Sequence, residues 1–232
     1  MLKLRPKVTE SYEYISGTRR CTLENYDGGY YGNNSFRKEH HDKFVGKLHK
    51  GEEVFYEVVG WQSENKPIMA AVSNKQLNDK EFVKKYGDTT HFTYGCENGT
   101  SDIYVYRMTM TNPDGEVVEY SYDYMKYRCE QMGVKVVPLF TRFILHEEDL
   151  EMDTRTAGEI VKDIAEHYYD GVDPVGKTHW REGVVVRIVN RPKFAAYKHK
   201  NWTFKVLEGI AKDTATEADI EEAQDIVDEI DG

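Results

Sequence analysis

The chain has 232 residues, of which 39% are hydrophobic and 31% are charged. This composition is ordinary for a globular domain, and no apolar run approaches the roughly 20 residues of a membrane-spanning helix. The first residues lack the apolar core of a signal peptide. Cys21, Cys96 and Cys129 lack the paired spacing of a zinc site, and three isolated thiols favour the reducing cytoplasm over a disulfide framework.

The net charge of −10 is concentrated at the carboxyl end. Residues 213–232 contain nine acidic side chains and no basic one, so residues 1–212 carry a net charge of −1. We therefore divide the chain into a body over residues 1–212 and an acidic tail over residues 213–232. The tail is predicted to form an amphipathic helix over about 216–230, either solvated or docked on a partner or a basic groove. A nucleic-acid substrate remains compatible with the body, because local basic patches decide such binding.

Strands are predicted where β-branched and aromatic residues run between turn-forming sequences, and helices where apolar residues follow a period of 3.6. The predicted strands, in chain order, are 52–60, 102–110, 116–120, 134–140, 182–190 and 194–200. The predicted helices are 121–132, ended by Gly133, and 154–168, capped by Asp153 or Thr154. Strands and helices follow one another without a regular βαβ rhythm, so the predicted fold class is α+β.

Four short segments place polar side chains within strand-like sequence. They are Phe55-Tyr-Glu57-Val-Val-Gly60, Tyr104-Val-Tyr106-Arg-Met108, Glu182-Gly-Val-Val-Val-Arg187 and Tyr197-Lys198-His-Lys200. In this order they resemble motifs III, IIIa, IV and V of the covalent nucleotidyltransferases, which include RNA ligases, DNA ligases and mRNA capping enzymes. Ser16-Gly-Thr-Arg19-Arg20, with the segment 36–43 behind it, is similar to the phage-type RNA ligases, and the resemblance spans about residues 12–210.

The resemblance implies an ATP-grasp-like nucleotidyltransferase domain with antiparallel sheets flanked by helices. It also implies a reaction that joins a 5′-phosphate RNA end to a 3′-hydroxyl end through an adenylated intermediate, with ATP and Mg²⁺, as in RNA repair. Only 32 residues follow Lys200, which favours the RNA ligase branch over enzymes that carry a further OB-fold domain. The alternatives are a DNA ligase fragment and a non-catalytic protein that binds RNA or nucleotide.

The residue types fit the roles that the resemblance implies. Lys198 and Lys200 lie two apart on a strand, so both point to one face and can stabilise charge on one phosphate. Glu182 can supply an oxygen ligand to Mg²⁺. Glu57 can accept hydrogen bonds from ribose, and Tyr106 can stack on adenine. Arg19 or Arg20 would contact phosphate or the nucleic-acid end.

Each of these residues also has a purely structural interpretation. Glu57 fits an exposed strand glutamate, and Tyr106 fits a core aromatic. The lysine pair fits the solvent face of an edge strand. The segment 182–187 fits a buried strand without chemistry. The joint occurrence of the motifs in family order favours the functional interpretation.

The nucleophilic lysine of the family lies in a Lys-x-(Asp/His)-Gly motif ahead of the arginine segment, and no such motif occurs in the 232 residues. Lys43 and Lys84 have glycine at the third following position, but both lie after the arginine segment and lack the acidic or histidine residue. We therefore expect an N-terminally incomplete ligase, or a degenerate companion protein. In either case we expect no self-adenylylation.

Overall fold

The computed structural model describes residues 12–18, 21–23, 26, 35–189, 194–207 and 220–222. Its helices are α1 (Ser35–Asp42), α2 (Lys80–Tyr86), α3 (Tyr122–Met132), α4 (Glu147–Met152), α5 (Ala157–Tyr168) and α6 (Trp202–Leu207), with a 3₁₀ turn at Asn74–Leu77. Its strands are β1 (Glu52–Ser63), β2 (Lys66–Pro67), β3 (Val72–Ser73), β4 (Thr89–Thr90), β5 (Ser101–Thr111), β6 (Val117–Glu119), β7 (Lys135–Val136), β8 (Gly183–Ile188), β9 (Ala195–Lys200) and β10 (Ile220–Glu222). This mixture of antiparallel sheets and helices agrees with the predicted α+β class.

The first sheet is built on the long antiparallel pairing of β1 with β5. Its strands follow the order β2-β1-β5-β6, and β7 adds to β5 in parallel. The predicted strands 102–110 and 116–120 are confirmed as β5 and β6, which pair antiparallel across the turn at 112–115. Of the predicted strand 134–140, only Lys135–Val136 forms regular pairing.

The main core lies between one face of this sheet and α3. Ile103, Val105 and Met108 of β5 are fully buried there against Met125 and Cys129 of α3. The helix is stopped as predicted, because Gly133 adopts a left-handed conformation with φ of 72°.

A buried ion pair holds α3 to the start of β1. Arg128 donates to both carboxylate oxygens of Glu52 at 2.8 and 2.7 Å, and the Tyr120 hydroxyl donates to the same carboxylate at 2.9 Å. The Glu52 side chain is completely inaccessible. Since a buried carboxylate needs such partners to offset the loss of water, the hydrogen bonds from Arg128 and Tyr120 lower its pKa although burial alone would raise it.

The second sheet has the order β10-β9-β8, all antiparallel. Helix α5 packs against β8. The helix begins after Thr156, which forms a capping box with Glu159, and not after the predicted caps Asp153 or Thr154. Asp153 instead pairs with Arg155.

The predicted tail helix over 216–230 is wrong at Ile220–Glu222. These three residues form β10, which pairs with β9 in the register Ile220 to His199. The open backbone groups of an edge strand favour such pairing, and the apolar spacing in the tail gives no information about a distant strand. The other tail residues lie outside the described part of the chain. No helix in the described ranges is long and apolar enough to cross a membrane.

His40 generates a prediction for the pH dependence of stability. Its ring is 1% exposed, Nε2 lies 2.9 Å from Ser101 Oγ, and Nδ1 has no hydrogen-bond partner within the described residues. Burial, aided by Lys43, lowers the pKa of His40 to about 4 from an ordinary value near 6.5. Folding therefore disfavours the charged form of the ring. The stability that the neutral ring contributes at pH 7 is lost progressively as the pH falls from about 6.5 toward about 4.

We expect the free energy of unfolding to fall by about 2 kcal/mol through His40 between pH 7 and pH 5. Urea unfolding of the wild type and of His40→Gln at both pH values measures this difference. The exposed His91 supplies the matched control, His91→Gln, which should keep the wild-type dependence. An unchanged pH dependence in His40→Gln would contradict the prediction.

Candidate functional site

The hairpin of β8 and β9 gathers Glu182, Lys198 and Lys200. Gly183 pairs with Lys200, and Val185 pairs with Lys198. Residues opposite one another in an antiparallel pair project to the same face, so both lysines lie on the face of Gly183 and Val185. Glu182 Oε1 lies 2.5 Å from Lys198 Nζ and 3.9 Å from Lys200 Nζ. One carboxylate thus meets two ammonium groups.

The burial of this cluster differs from that of an ordinary strand surface. The side chain of Lys200 is 11% exposed, whereas those of Lys198 and Glu182 are 36% and 32% exposed. The structural interpretation of the lysines as the solvent face of an edge strand is wrong in two respects, because β9 lies between β8 and β10 and because Lys200 is largely buried, whereas Lys198 is partly exposed. The interpretation of 182–187 as a fully buried strand is also wrong, because Val185 is 59% exposed.

Only glycine fits at position 183. A Cβ atom there would lie 2.1 Å from the carbonyl oxygen of His199 and 2.9 Å from Cα of Lys200. Gly183 also has a φ of 151°, a value that other residues rarely adopt. The close approach of the two backbones at this point sets the position of Glu182 beside the lysines.

The first sheet presents Glu57 and Tyr106 on the face opposite its core. Val54, Tyr56 and Val58 pack into the core, so the intervening Phe55 and Glu57 point to the other face. Glu57 is exposed and pairs with Tyr104 of β5.

A β-bulge brings Tyr106 to this face. Phe55 is paired with Arg107 and Tyr56 with Val105, so Tyr106 is the extra residue of β5. Its ring lies 6.3 Å from that of Phe55 and is 37% exposed. The alternative interpretation of Tyr106 as a core aromatic is therefore wrong.

A cluster of two arginines around Glu119 connects the two sheets. Arg107 donates to Glu119 through Nε at 3.0 Å and also through Nη2. Arg187 Nη2 lies 3.3 Å from Glu119 Oε2 and donates to the carbonyl oxygen of Tyr120 at 2.6 Å. Arg187 is paired with Ala196 and therefore shares the face of Lys198 and Lys200. The lysine face of the second sheet is thus turned toward the first sheet.

The contacts of Arg107 also identify the face of the first sheet that is turned toward the second sheet. The guanidinium carbon of Arg107 lies 4.6 Å from the centre of the Phe55 ring, so Arg107 lies on the face of Phe55, Glu57 and Tyr106. The structure therefore places the predicted residues Glu57, Tyr106, Glu182, Lys198 and Lys200 on two faces that are turned toward each other. Arg19 and Arg20 lie outside the described residues.

A polar pocket of about 430 Å³ opens on the face of the first sheet that carries Glu57, because Tyr104, the cross-strand partner of Glu57, lines it together with Asp102, Lys135 and loop residues around Gly95 and Gly176. Lys135 Nζ lies 2.5 Å from the Asp102 carboxylate, and hydrogen bonding to Lys135 lowers the pKa of Asp102 against the effect of burial. The predicted site residues do not line this pocket. Sequence reasoning missed it because its walls come from distant segments of the chain, namely β5, β7 and two loops.

The donor set around Glu182 fits Mg²⁺ only in part. Mg²⁺ is usually held by one or two carboxylates together with substrate phosphates. Glu182 supplies one carboxylate, and no group of three His, Cys, Asp or Glu side chains with metal-site geometry occurs within the described ranges. Glu182 can supply one oxygen ligand, and the described residues do not by themselves complete a metal site.

Sequence reasoning missed the position of Arg107, Glu119 and Phe194 between the two sheets. Arg107 lies 4.2 Å from the centre of the Phe194 ring and Arg187 lies 5.3 Å from it. A sequence signal for this cluster does exist, since arginine and glutamate within strand-like apolar runs need partners when they are buried.

Comparison with protein-family models, with curated proteins and with solved structures gave no match. The functional interpretation therefore depends on the residues and the geometry of the chain itself.

Gly183 supplies a prediction about the integrity of the site. Gly183→Ala should lower the free energy of unfolding by about 2 to 4 kcal/mol, because the added Cβ forces the backbones of β8 and β9 apart. Gly158→Ala is the matched control: the nearest atom to a Cβ there is Thr156 Oγ1 at 3.9 Å, and alanine should stabilise α5 by up to about 1 kcal/mol. Urea unfolding measures both, and equal stabilities of the two variants would contradict the argument.

Proposed function

We propose that the chain is an RNA ligase domain of nucleotidyltransferase architecture that joins an adenylated 5′-phosphate RNA end to a 3′-hydroxyl end. The observation that carries this proposal is the convergence of Lys198 and Lys200 on Glu182, on a face turned toward Glu57 and Tyr106. The order of the four motifs in the sequence supports the same proposal.

The lysine pair is suited to a phosphate group. In the absence of a ligand, Glu182 partly neutralises the two ammonium groups, which keeps a partly buried cluster stable. A phosphate that entered between the lysines would take over this role and stabilise the charge that develops during displacement. A divalent cation would add charge neutralisation there, with Glu182 as its ligand.

The proposed chemical step is a phosphoryl transfer. The 3′-hydroxyl oxygen of one RNA end forms a bond to the 5′-phosphorus of the other, and the bond from that phosphorus to AMP breaks. AMP leaves with the electron pair, and the hydroxyl proton passes to solvent. Lys198 and Lys200 hold the phosphate during this exchange, so the chain contributes positioning and electrostatics.

The first sheet is suited to the nucleoside. The exposed ring of Tyr106 offers a face for adenine, and base stacking on an aromatic side chain typically contributes about 1 to 3 kcal/mol. The exposed carboxylate of Glu57, on the same face of β1, can accept hydrogen bonds from ribose hydroxyls. The two sheets would thus hold opposite ends of one adenylate.

The proposal concerns the sealing step, because the 232 residues contain no Lys-x-(Asp/His)-Gly motif to take AMP from ATP. A donor RNA that is already adenylated bypasses that reaction. The same donor also separates a ligase from a protein that only binds RNA or nucleotide.

We expect joined product from a pre-adenylated RNA donor and a 3′-hydroxyl acceptor in the presence of Mg²⁺ and without ATP. Lys198→Ala and Lys200→Ala should each reduce the single-turnover sealing rate by about 100-fold or more, the loss typical of removing one stabilising group. The matched control is Lys162→Ala, because Lys162 is an exposed lysine of α5 in an i,i+4 pair with Glu166. No product from a folded wild-type chain would refute the ligase activity, as would an unchanged rate in Lys200→Ala.

Glu182→Ala distinguishes a ligase from a binding protein. We expect this variant to lose metal-dependent sealing while its RNA affinity, measured by fluorescence anisotropy, stays within about threefold of the wild type, since a single rim charge changes binding only modestly. A binding protein of ligase ancestry would instead show RNA affinity in both chains and no sealing in either.

A further inference from the structure

The arginine cluster between the sheets contains three charged side chains, Arg107, Arg187 and Glu119, and therefore one more than a simple ion pair. Arg107 and Arg187 both form an ion pair with one carboxylate, that of Glu119. The side chains of Arg107, Glu119 and Arg187 are only 7%, 13% and 15% exposed. Such an arrangement is costly unless every group has partners, so its geometry is tightly constrained.

Aromatic rings complete the cluster. The Arg107 guanidinium lies between the rings of Phe55 and Phe194, with its central carbon 4.6 and 4.2 Å from their centres. Phe194 directly precedes β9, and Phe55 belongs to β1. The stack therefore joins the same two sheets as the ion pairs do, through contacts that need planar guanidinium geometry.

The cluster lies next to the proposed adenylate site on both sheets. On the second sheet, Ala196 pairs with Arg187, and Lys198 follows two residues later, about 7 Å along the strand. On the first sheet, Tyr106 directly precedes Arg107 at the bulge. A change in the cluster would therefore alter the distance between Tyr106 and the lysines more than it would alter the structure within either sheet.

We propose that Arg187, held by Glu119 and the carbonyl oxygen of Tyr120, is a positioning residue that fixes the separation of the two sheets at the width of one adenylate. Arg187 acts through the sheets that it connects and does not touch the reacting atoms. Burial lowers the pKa of Arg187, and its Nη1 atom has no hydrogen-bond partner within the described residues. Its position therefore depends on the contacts of Nη2 with the first sheet.

This inference depends on the proposed function, and it makes a distinct prediction about ligands of different length. Inorganic phosphate needs only the lysine pair of the second sheet. AMP needs the lysines and the face of Tyr106 together. Loss of the connection between the sheets should therefore weaken AMP binding and leave phosphate binding unchanged.

The test compares both ligands by isothermal or NMR titration of the wild type, Arg187→Met and Arg187→Lys. For Arg187→Met we expect AMP affinity to fall at least 10-fold while phosphate affinity stays within twofold. Arg187→Lys keeps the charge but not the forked geometry and should show an intermediate loss of AMP affinity. The matched control is Arg142→Met, because Arg142 forms an exposed pair with Asp123 on α3 and should change neither affinity.

The phosphate titration also reports whether a variant is folded at the lysine pair. If Arg187→Met does not fold, Glu119→Gln tests the same connection, because it removes the charge and replaces one of the two acceptor oxygens with an amide donor. Equal AMP affinity in the wild type and in a folded variant at position 187 or 119 would overturn the inference and leave the proposed function intact. A parallel loss of both ligands would show a general structural role and would also overturn it. A wild type that does not bind AMP would overturn both the inference and the proposed function.

Discussion

The pairing of β8 with β9 is the constraint on which the candidate site depends. Gly183 lets the backbone approach His199 and Lys200 more closely than any side chain would permit. That approach places Glu182 at the entry of β8, beside two lysines that alternate on β9. The chemistry of the site thus follows from a backbone contact as much as from the charged residues.

The electrostatics of the two facing sheets differ from those of the whole chain. The chain carries a net charge of −10, yet Glu182 lies beside both Lys198 and Lys200, and Glu119 lies beside both Arg107 and Arg187. Both clusters lie on one connected surface and partly away from water, where charges interact more strongly. Local clusters of charged side chains, and not the net charge of the chain, govern how an anionic ligand is attracted to such a surface.

Much of this arrangement follows from patterns that sequence alone reveals. The spacing of Lys198 and Lys200 predicts a common face, and the structure confirms it. The bulge at Tyr106 is not among the predictions, but a signal exists: the apolar residues of β5 that pack into the core change from the odd numbers 103 and 105 to the even numbers 108 and 110. An extra residue in the strand is the simplest cause of such a change.

Other features could not be obtained from local patterns, because they depend on contacts between distant segments. The connection of Arg187 to Glu119 spans 68 residues, and Ile220–Glu222 pair with β9 where the apolar spacing of the tail favours a helix. The short extent of β7 has a similar origin, since only two residues of the predicted strand 134–140 pair with β5. Local sequence determines which elements can form, and tertiary partners determine where they end.

The most direct test of the account is a crystal structure of the chain with AMP. The account predicts the α-phosphate between the ammonium groups of Lys198 and Lys200, with adenine against Tyr106 and ribose near Glu57. AMP bound instead in the pocket of Tyr104 and Lys135, or away from both sheets, would contradict the assignment of the facing sheets as an adenylate site.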